Sequence, residues 1–508
     1  MTSDQKKAVH FPAVYQINTR VVLEEVGRSL GRRASLDDFS DATLDEIATR
    51  GFNMVWPLGV WQTGEAARSV TRSQPKLMAE LLRNLPTMRD EDLVSSPFAI
   101  TAYQVHRDFG GEAALARLRE RLSRRKLGLL LDFVPNHIAI DHPWVNEHPE
   151  FLIAGDAQDL QREPQNYLRV QTRLGSRIVA HGRDPYFDGW PDTVQLNYCH
   201  AGLREAQLGV LNQIADRCDG IRCDMAMLLE PEVIARTWGA RSRPADGSPP
   251  RDNAFWPEAI PAVRRRHPLF RFIAEVYWDM EWNLQQHGFD FTYDKRLYDR
   301  LREGSARPVR EHLQADPAFN DRCLRFLENH DEPRAAATFD PERHRAAAVI
   351  TFFVPGLRLI HEGQIEGRKV HISMHLGRRP EEPVDHELKA FYSRLLEAMA
   401  RPELHTGRWR LESCRPAWDG NPTADQFIVG SWEQGDRRLL TVANYGPNQA
   451  QCYVTPGFTG LGTGRWALKD LMSEVKYQRE GSELAGRGLF LDLPPWGYHV
   501  FAVERQGS

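Results

Sequence analysis

The chain has 508 residues, of which 41% are apolar and 10% aromatic, and this composition excludes a disordered or fibrous protein. Its 65 basic and 69 acidic residues give a net charge of −4, so no global positive field favours nucleic acid or an anionic membrane. The polar start resembles no signal peptide, no stretch of 18 apolar residues occurs, and the six cysteines include no CxxC pair. We therefore expect a cytoplasmic protein that binds neither nucleic acid nor membrane.

Eight short β-rich runs, separated by longer amphipathic stretches, recur through residues 13–361. Strands that alternate with helices indicate a parallel sheet, and eight repeats favour a closed (β/α)8 TIM barrel over an open doubly wound sheet. Between two of them, GGEAALARLRERLSRRKL predicts a helix over Gly110–Leu127. The predicted strands are Ala13–Asn18, Asn53–Pro57, Gly128–Val134, Gly220–Asp224, Arg271–Val276, Gly288–Tyr293, Leu324–Glu328 and Leu357–His361.

The connection between the third and fourth predicted strands is far longer than usual in such folds. Its polar, Pro-containing and Trp-punctuated sequence predicts an inserted subdomain over 138–193, and Arg241–Asn253 has the composition of an exposed loop. After residue 400, short alternating runs divided by Gly, Asn and Pro predict a C-terminal antiparallel β-domain. We therefore expect an α/β barrel over 1–400, interrupted by 138–193, and a β-sandwich over 401–508.

Four predicted strands end in polar residues, at the position where such a barrel places its active site. Each carries a carboxylate that follows an apolar run, where a purely structural strand favours apolar or small residues. A single such carboxylate is more commonly structural, but Asp224, Glu275 and Asp331 converging at one barrel mouth indicate a catalytic cluster. The four segments are LLLDFVPNH (Leu129–His137), DGIRCDMAM (Asp219–Met227), FIAEVYWD (Phe272–Asp279) and RFLENHDEP (Arg325–Pro333).

The motifs DFVPNH, GIRCD, the Glu of AEVYW and ENHDEP resemble, in this order, the four signature segments of the alpha-amylase family, glycoside hydrolase family 13. The resemblance covers nearly the whole chain. It implies a retaining enzyme that cleaves α-glucosidic bonds in an α-glucan or oligosaccharide substrate. Asp224 would be the nucleophile, Glu275 the general acid and then base, and Asp331 would bind sugar hydroxyls and stabilise the distorted transition state.

The resemblance also implies substrate-binding residues around this trio. Arg222 would keep the nucleophile ionised, and His330 and His137 would bind the same sugar. Asp132 and Asn136 would organise the site from the third strand, Asp132 more structurally than chemically. A buried histidine is ordinarily a satisfied core residue, but the adjacent motif residues favour the binding role for both histidines.

Several positions depart from the family pattern. Phe98, in SSPFAITAY, stands where the family usually has a sugar-stacking tyrosine, which implies stacking without the hydroxyl. Met227 and Leu228 replace the Lys-His pair of many starch-degrading members. We therefore predict an apolar rim, which together with the inserted segments would favour short α-glucosides over starch and allow transfer to sugar acceptors. HEGQ (His361–Gln364) replaces a Tyr-Gly-x-Glu type sequence, and no function is carried onto it.

Family members often bind calcium next to the third-strand asparagine, which is Asn136 here. Calcium takes about six to eight oxygen ligands, and the sequence identifies no other ligand, so we predict that neither a metal nor a cofactor is needed for activity. Four tryptophans are candidate sugar-stacking platforms, although each alone is more commonly a packing residue: Trp144, Trp190, Trp256 and Trp278.

Three functions stay open at this point. The first is a hydrolase of α-1,4-glucans or maltooligosaccharides, and the second is a transglycosidase or sugar isomerase that uses the same covalent intermediate. The third is a catalytically silent relative that serves as a carbohydrate-binding or scaffold subunit, which the intact Asp224, Glu275 and Asp331 argue against. The sequence leaves linkage, chain length and oligomeric state open.

Overall fold

The structure, a computed structural model, describes residues 10–506; the polar start before residue 10 lies outside the described residues. Eight parallel strands form a closed barrel in which each strand pairs with the next along the chain and the eighth pairs with the first. They coincide with the eight predicted runs, apart from small differences at their ends. The strands are β1 (Ala13–Asn18), β2 (Met54–Leu58), β3 (Gly128–Phe133), β4 (Gly220–Cys223), β5 (Arg271–Ala274), β6 (Phe291–Tyr293), β7 (Cys323–Arg325) and β8 (Leu357–His361).

Helices connect the barrel strands and cover them from outside. The predicted helix over 110–127 is observed as Gly111–Arg124, with its leucines turned inward. The other α-helices are Thr19–Leu30, Asp41–Thr49, Glu65–Arg72, Pro75–Asn84, Pro143–Glu147, Ala157–Arg162, Ala201–Ala215, Pro231–Trp238, Trp256–Arg266, Glu281–Gln286, Lys295–Glu303, Ala306–Leu313, Pro317–Asn320, Ala335–Thr338, Pro341–Phe352, His386–Met399, Glu403–Thr406 and Gly481–Gly486.

Two long connections carry small sheets of their own. The sequence predicted the connection after β3. In it, the strand His137–Ala139 pairs with Thr193–Gln195, and the hairpin of Tyr167–Thr172 and Gly175–Ala180 lies between them in the chain. The one after β2 was not predicted as an excursion; it holds a two-stranded sheet and the helices Glu65–Arg72 and Pro75–Asn84. The strands of these sheets are Trp61–Thr63, Ile100–Val105, His137–Ala139, Tyr167–Thr172, Gly175–Ala180 and Thr193–Gln195.

The C-terminal region is built from two antiparallel sheets, as predicted. One has the order β9-β11-β12-β17-β14-β15 and the other β10-β13-β16, and a separate apolar cluster that includes Phe427, Leu491 and Phe501 draws on strands of both sheets. The indole N–H of Trp432 donates to the Phe353 carbonyl at 2.7 Å and so fixes the sheets to the barrel. The strands are β9 (Arg408–Glu412), β10 (Cys414–Pro416), β11 (Phe427–Gln434), β12 (Arg437–Asn444), β13 (Ala450–Val454), β14 (Arg465–Asp470), β15 (Lys476–Glu480), β16 (Leu489–Leu493) and β17 (Tyr498–Gln506).

Two global features bear on the expected environment of the protein. All six cysteines lie within the described residues, and each is a free thiol. Between residues 10 and 506, none of the helices combines the length and the apolar character that crossing a bilayer would require.

Candidate active site

A cavity of about 410 Å³ opens where β4, β5 and β7 end. Its lining includes the three predicted catalytic carboxylates, Asp224, Glu275 and Asp331, together with His137 and Phe98. The volume lies toward the lower end of the usual range for ligand cavities. The long connections supply much of the remaining wall, which includes Thr71, Gln74, Leu77, Trp190, Asp192 and His375.

A single buried guanidinium, that of Arg222, joins the three carboxylates. Its Nη1 lies 2.6 Å from Oδ1 of Asp224, and its Nη2 lies 2.8 Å from Oε2 of Glu275 and 3.8 Å from Oδ2 of Asp331. A buried charge is costly unless it is paired. Here the Arg222 cation and the Asp224 carboxylate compensate each other. The guanidinium is also enclosed by the rings of Trp56, Phe98 and Tyr293, at 5.3–5.8 Å from Cζ.

Glu275 accepts hydrogen bonds on both carboxyl oxygens. The main-chain N–H of Met225 donates to Oε2 at 2.7 Å, and the hydroxyl of Tyr277 donates to Oε1 at 2.8 Å. Burial raises the pKa of the Glu275 carboxyl to about 8; the Arg222 cation opposes the rise, and the nearby carboxylates add to it. Glu275 is therefore mainly protonated at neutral pH, as a general acid must be.

His330 lies directly behind Asp331; its side chain is fully buried and does not line the cavity, so it contacts Asp331 and is not exposed to a bound sugar, contrary to the binding role expected from the sequence. Its Nε2 is 3.1 Å from Oδ2 of Asp331, and the Gln16 amide donates to its Nδ1 at 2.8 Å. Burial lowers the pKa of His330 well below its usual value, so the ring is neutral. The Asp331 side chain is 40% exposed and opens into the cavity, where a sugar hydroxyl could reach it.

His137 and Phe98 occupy the cavity wall, as the family resemblance implies. The His137 ring packs against Trp190 with the centroids 4.9 Å apart, and burial lowers its pKa, which keeps the imidazole neutral. The Phe98 ring lies 5.5 Å from His330 and retains some exposure. The structure therefore brings an apolar face and a neutral hydrogen-bonding ring to the same cavity.

Asp132 and Asn136, which the resemblance gives an organising role, lie behind the cavity wall and do not line it. Asp132 accepts from the Trp56 indole at 3.0 Å and from the Gly59 main chain at 2.8 Å, which ties the end of β2 to β3. Asn136 Oδ1 accepts from Nε2 of Gln195 at 2.9 Å, which ties the start of the insert to its end.

The surroundings of Asn136 do not fit a calcium ion. Its side-chain oxygen is already used by Gln195, and within residues 10–506 no group of three or more His, Cys, Asp or Glu side chains is placed to hold a metal. Calcium requires about six to eight oxygen ligands, and carboxylates usually supply part of them. We therefore assign no step of the chemistry to a metal.

The predicted apolar rim at Met227 and Leu228 is wrong. Both side chains are buried, at 0% and 4% exposure, in the short 3₁₀ turn Ala226–Leu229. The chain turns inward because Met225 adopts left-handed backbone geometry, with φ of 43°. Met225 itself lines the cavity in their place, and the Trp256 indole donates to the Ala226 carbonyl at 2.9 Å.

The remaining sequence candidates divide between the cavity and the core. Of the four tryptophans, Trp190 alone lines the cavity; Trp256 is fully buried, while Trp144 and Trp278 pack on Phe151 and Tyr186. The predicted loop Arg241–Asn253 takes no part in the lining, so the crowding expected from it is also wrong.

Several residues of the site were not assigned from sequence. Tyr277 and Gln16 lie at or just beyond the ends of β5 and β1, and the same strand-end rule that found the carboxylates could have found them. No such signal exists for Thr71 and His375, which hydrogen bond to each other at 3.0 Å. They come from long connections whose path cannot be read from local patterns.

Comparisons with known proteins identify relatives by sequence and by structure. An alpha-amylase MalA from Haloarcula japonica is 27% identical over 307 residues, which are 58% of this chain and 39% of the relative. A trehalose synthase/amylase TreS from Mycolicibacterium smegmatis is 25% identical over 288 residues, which are 51% of this chain and 46% of the relative. The chain therefore matches less than half the length of either relative.

A crystal structure of a maltogenic alpha-amylase, AmyB from Thermotoga neapolitana, has the same fold. The TM-score is 0.67 at 18% identity, and the match covers 98% of this chain and 100% of that chain. The sequence model of the alpha-amylase catalytic domain matches residues 98–390, which is more than half of the chain. Because this match covers more than half of the chain and includes the four motifs, three of which bring their carboxylates to one barrel mouth, the chain belongs to the alpha-amylase family.

Proposed function

We propose that this protein is a retaining glycosidase that cleaves α-glucosidic bonds, most simply the α-1,4 bonds of maltooligosaccharides, by double displacement. One observation carries the proposal: Asp224 and Glu275 contact two nitrogens of the same Arg222 guanidinium and face one cavity. Retaining glycosidases need two carboxyl groups that lie close together and differ in protonation state.

In the first displacement, a carboxylate oxygen of Asp224 attacks the anomeric carbon. The bond to the glycosidic oxygen breaks as the Glu275 proton passes to that oxygen, and a β-glycosyl-enzyme forms. In the second, Glu275 as carboxylate takes a proton from water, the water oxygen bonds to the anomeric carbon, and Asp224 leaves. Two inversions at one carbon give net retention of configuration.

Arg222 serves both halves of this cycle. It stabilises the Asp224 carboxylate before the attack, and it stabilises the Glu275 carboxylate after its proton has left. Asp331 and the neutral ring of His137 line the cavity and are placed to bind sugar hydroxyls, while His330 contacts Asp331 from behind. Bonds to the sugar hydroxyls accelerate the reaction if they strengthen in the distorted transition state.

The size of the cavity supports a preference for short substrates. Its walls include Gln74 and Leu77 from the connection after β2 and Trp190 from the insert. A cavity of about 410 Å³ holds a small number of sugar units and leaves little room for a polymer that passes through. We infer activity on maltooligosaccharides or related short α-glucosides.

Transfer to a sugar acceptor is the second candidate activity. TreS, a relative by sequence, bears the name trehalose synthase/amylase, and the glycosyl-enzyme proposed here can react with a sugar hydroxyl as well as with water. The apolar side chains of Trp190, Met225 and Leu77 at the cavity support acceptor binding over water. A silent scaffold is disfavoured because the carboxylate cluster is complete.

Product analysis tests these proposals directly. The protein is incubated with maltose, maltotriose, starch, sucrose and trehalose, the products are separated by chromatography, and the anomer formed first is identified by proton NMR. Release of α-anomers from maltotriose supports retaining hydrolysis, and longer or rearranged products support transfer. First-formed β-anomers, or no reaction with any of these sugars, would contradict the proposal.

We also propose a cytoplasmic location. The support is chemical: six free thiols, five of them buried, suit a reducing compartment. Labelling of the cysteines in intact and lysed cells tests it, and disulfide formation in the native protein would contradict it.

A further inference from the structure

Tyr277 lies two residues after Glu275 and has no part in the mechanism described above. It is partly buried, it lines the cavity, and its hydroxyl donates to Oε1 of Glu275 at 2.8 Å. The contact therefore joins a cavity residue to the proposed acid at the oxygen that faces away from Arg222.

The hydrogen bonds of Glu275 distinguish its two oxygens. Oε2 receives the N–H of Met225 at 2.7 Å and lies 2.8 Å from Nη2 of Arg222. A proton on Oε2 would meet these two N–H donors, which cannot accept it, whereas the Tyr277 hydroxyl at Oε1 can turn to accept a hydrogen bond; the proton that Glu275 transfers therefore resides on Oε1. Tyr277 therefore contacts the oxygen that gives up the proton.

Unusual backbone geometry occurs at or next to the two uncharged groups that donate to Glu275, the main-chain N–H of Met225 and the hydroxyl of Tyr277. Between residues 10 and 506, five non-glycine residues have positive φ; three of them are Met225 at 43°, Trp278 at 66° and Asp279 at 62°. Met225 supplies the N–H to Oε2, and the other two form the turn that directly follows Tyr277. Strain of this kind persists only where surrounding contacts impose it, and it concentrates at functional sites.

Identifiable contacts impose the turn after Tyr277. The Trp278 ring packs edge-on against Tyr186 at 5.0 Å, and the Asp279 carboxylate receives two hydrogen bonds from Arg296, at 2.6 and 2.8 Å. These contacts connect the turn to the insert and to the helix after β6. The backbone that follows Tyr277 is thus held by contacts to two other parts of the fold, while the phenol itself contacts Glu275.

We propose that Tyr277 is a positioning residue that holds Oε1 of Glu275 toward the leaving group and stabilises the carboxylate that forms as the proton departs. A hydroxyl binds a carboxylate more strongly than a neutral carboxyl group, so this hydrogen bond strengthens along the first displacement. The inference rests on the proposed function, since it assigns a role through the general acid. The charged and titratable groups that face Glu275 besides Tyr277 are Arg222, Asp224, Tyr293 and Asp331.

The test is Tyr277→Phe, measured on two substrates that differ in their need for a proton. We expect kcat to fall about tenfold on maltotriose, with KM little changed, because one charge-assisted hydrogen bond is lost in the transition state. On 2,4-dinitrophenyl α-glucoside, whose leaving group needs no proton, the rate of the first displacement should stay within about twofold. The basic limb of kcat/KM should move upward by about half a pH unit or more, because the carboxylate loses a donor.

Tyr198→Phe is the matched control. It removes another buried tyrosine hydroxyl, one that has no hydrogen-bond partner within residues 10–506, and it should leave both rates and the pH limb unchanged. Equal losses on both substrates in Tyr277→Phe, with an unmoved basic limb, would reduce Tyr277 to a structural residue and overturn the inference.

Glu275→Gln separates this inference from the proposed function. If Glu275→Gln abolishes cleavage of maltotriose and Tyr277→Phe changes neither rate nor pH limb, only the role of Tyr277 fails. If Glu275→Gln itself keeps near-wild-type activity, the proposed function fails first. On 2,4-dinitrophenyl α-glucoside, which the Glu275→Gln protein should still cleave because the leaving group needs no proton, adding Tyr277→Phe should cause no further loss. A further tenfold loss in that double variant would count against the inference.

Discussion

Nη1 of Arg222 lies 2.6 Å from Oδ1 of Asp224, although a single residue separates the two along the chain. Alternate residues of a strand face the same side, so the end of β4 directs both side chains into the barrel mouth. The pair is almost completely buried, and loss of either partner would leave an uncompensated charge in the interior. The proposed nucleophile and the cation that pairs with it are therefore a single local unit of sequence.

The first prediction concerns this unit. We expect Asp224→Asn to lower kcat/KM on maltotriose by at least about 10³-fold, because the amide cannot form the glycosyl-enzyme. The fold should be retained, although Arg222 loses a partner. Initial rates and melting temperature are measured on the same sample, with the exposed Asp188→Asn as the control. Near-wild-type activity in a folded Asp224→Asn protein would remove the assignment.

The second prediction is a loss of activity on the basic side of neutrality. Because burial raises the pKa of Glu275 to about 8, the acid is protonated below that pH and ionised above it. We expect kcat/KM to fall as the pH rises through about 8, with a slope of one proton. Initial rates are measured across this pH range at one fixed substrate concentration well below KM, where the rate is proportional to kcat/KM. A fall that begins near pH 5 would show that Glu275 has an ordinary carboxyl pKa.

The third prediction is that the raised pKa of Glu275 makes the protein less stable as the pH rises. The pKa of Glu275 is raised above its unfolded value of 4.5, so its contribution to stability is present below about pH 4.5 and is lost as the pH rises toward 8. Glu275→Gln does not titrate. We expect the melting temperature of the variant, relative to that of the wild type, to increase as the pH rises from about 5 to 8. Parallel curves over this range, measured by calorimetry, would contradict the assignment of the shift to Glu275.

The parts of the site that sequence predicts are those set by local pattern. Asp224, Glu275 and Asp331 each follow a short apolar run, and strands of a parallel barrel all end on the same face, so their meeting was foreseeable. The burial of Met227 was not foreseeable, because it depends on the left-handed geometry of Met225, which non-glycine residues seldom adopt. The cavity walls likewise depend on the long-range path of the connection after β2.

The fourth prediction is that activity does not depend on calcium. The Asn136 side-chain oxygen accepts from Gln195, and that bond already joins the two ends of the insert without a metal. We expect EDTA, and calcium added after it, to change neither the initial rate nor the melting temperature. Loss of activity or of several degrees in EDTA, restored by calcium, would contradict this.

The last prediction concerns substrate length and rests on the enclosed cavity. We expect the wild type to act on maltotriose with a higher kcat/KM than on soluble starch, because the cavity is small and Leu77, Gln74 and Trp190 contribute to its wall. Leu77→Ala should widen the mouth and raise the ratio of maltoheptaose to maltotriose activity severalfold, by about 1 kcal/mol or less in differential binding. Leu82→Ala, an exposed position on the same helix that does not line the cavity, is the matched control and should leave the ratio unchanged. The opposite result, in which the wild type cleaves starch at internal bonds more efficiently than it cleaves maltotriose, would contradict this prediction. In that case the connection after β2 does not limit the access of long glucans to the cavity of about 410 Å³.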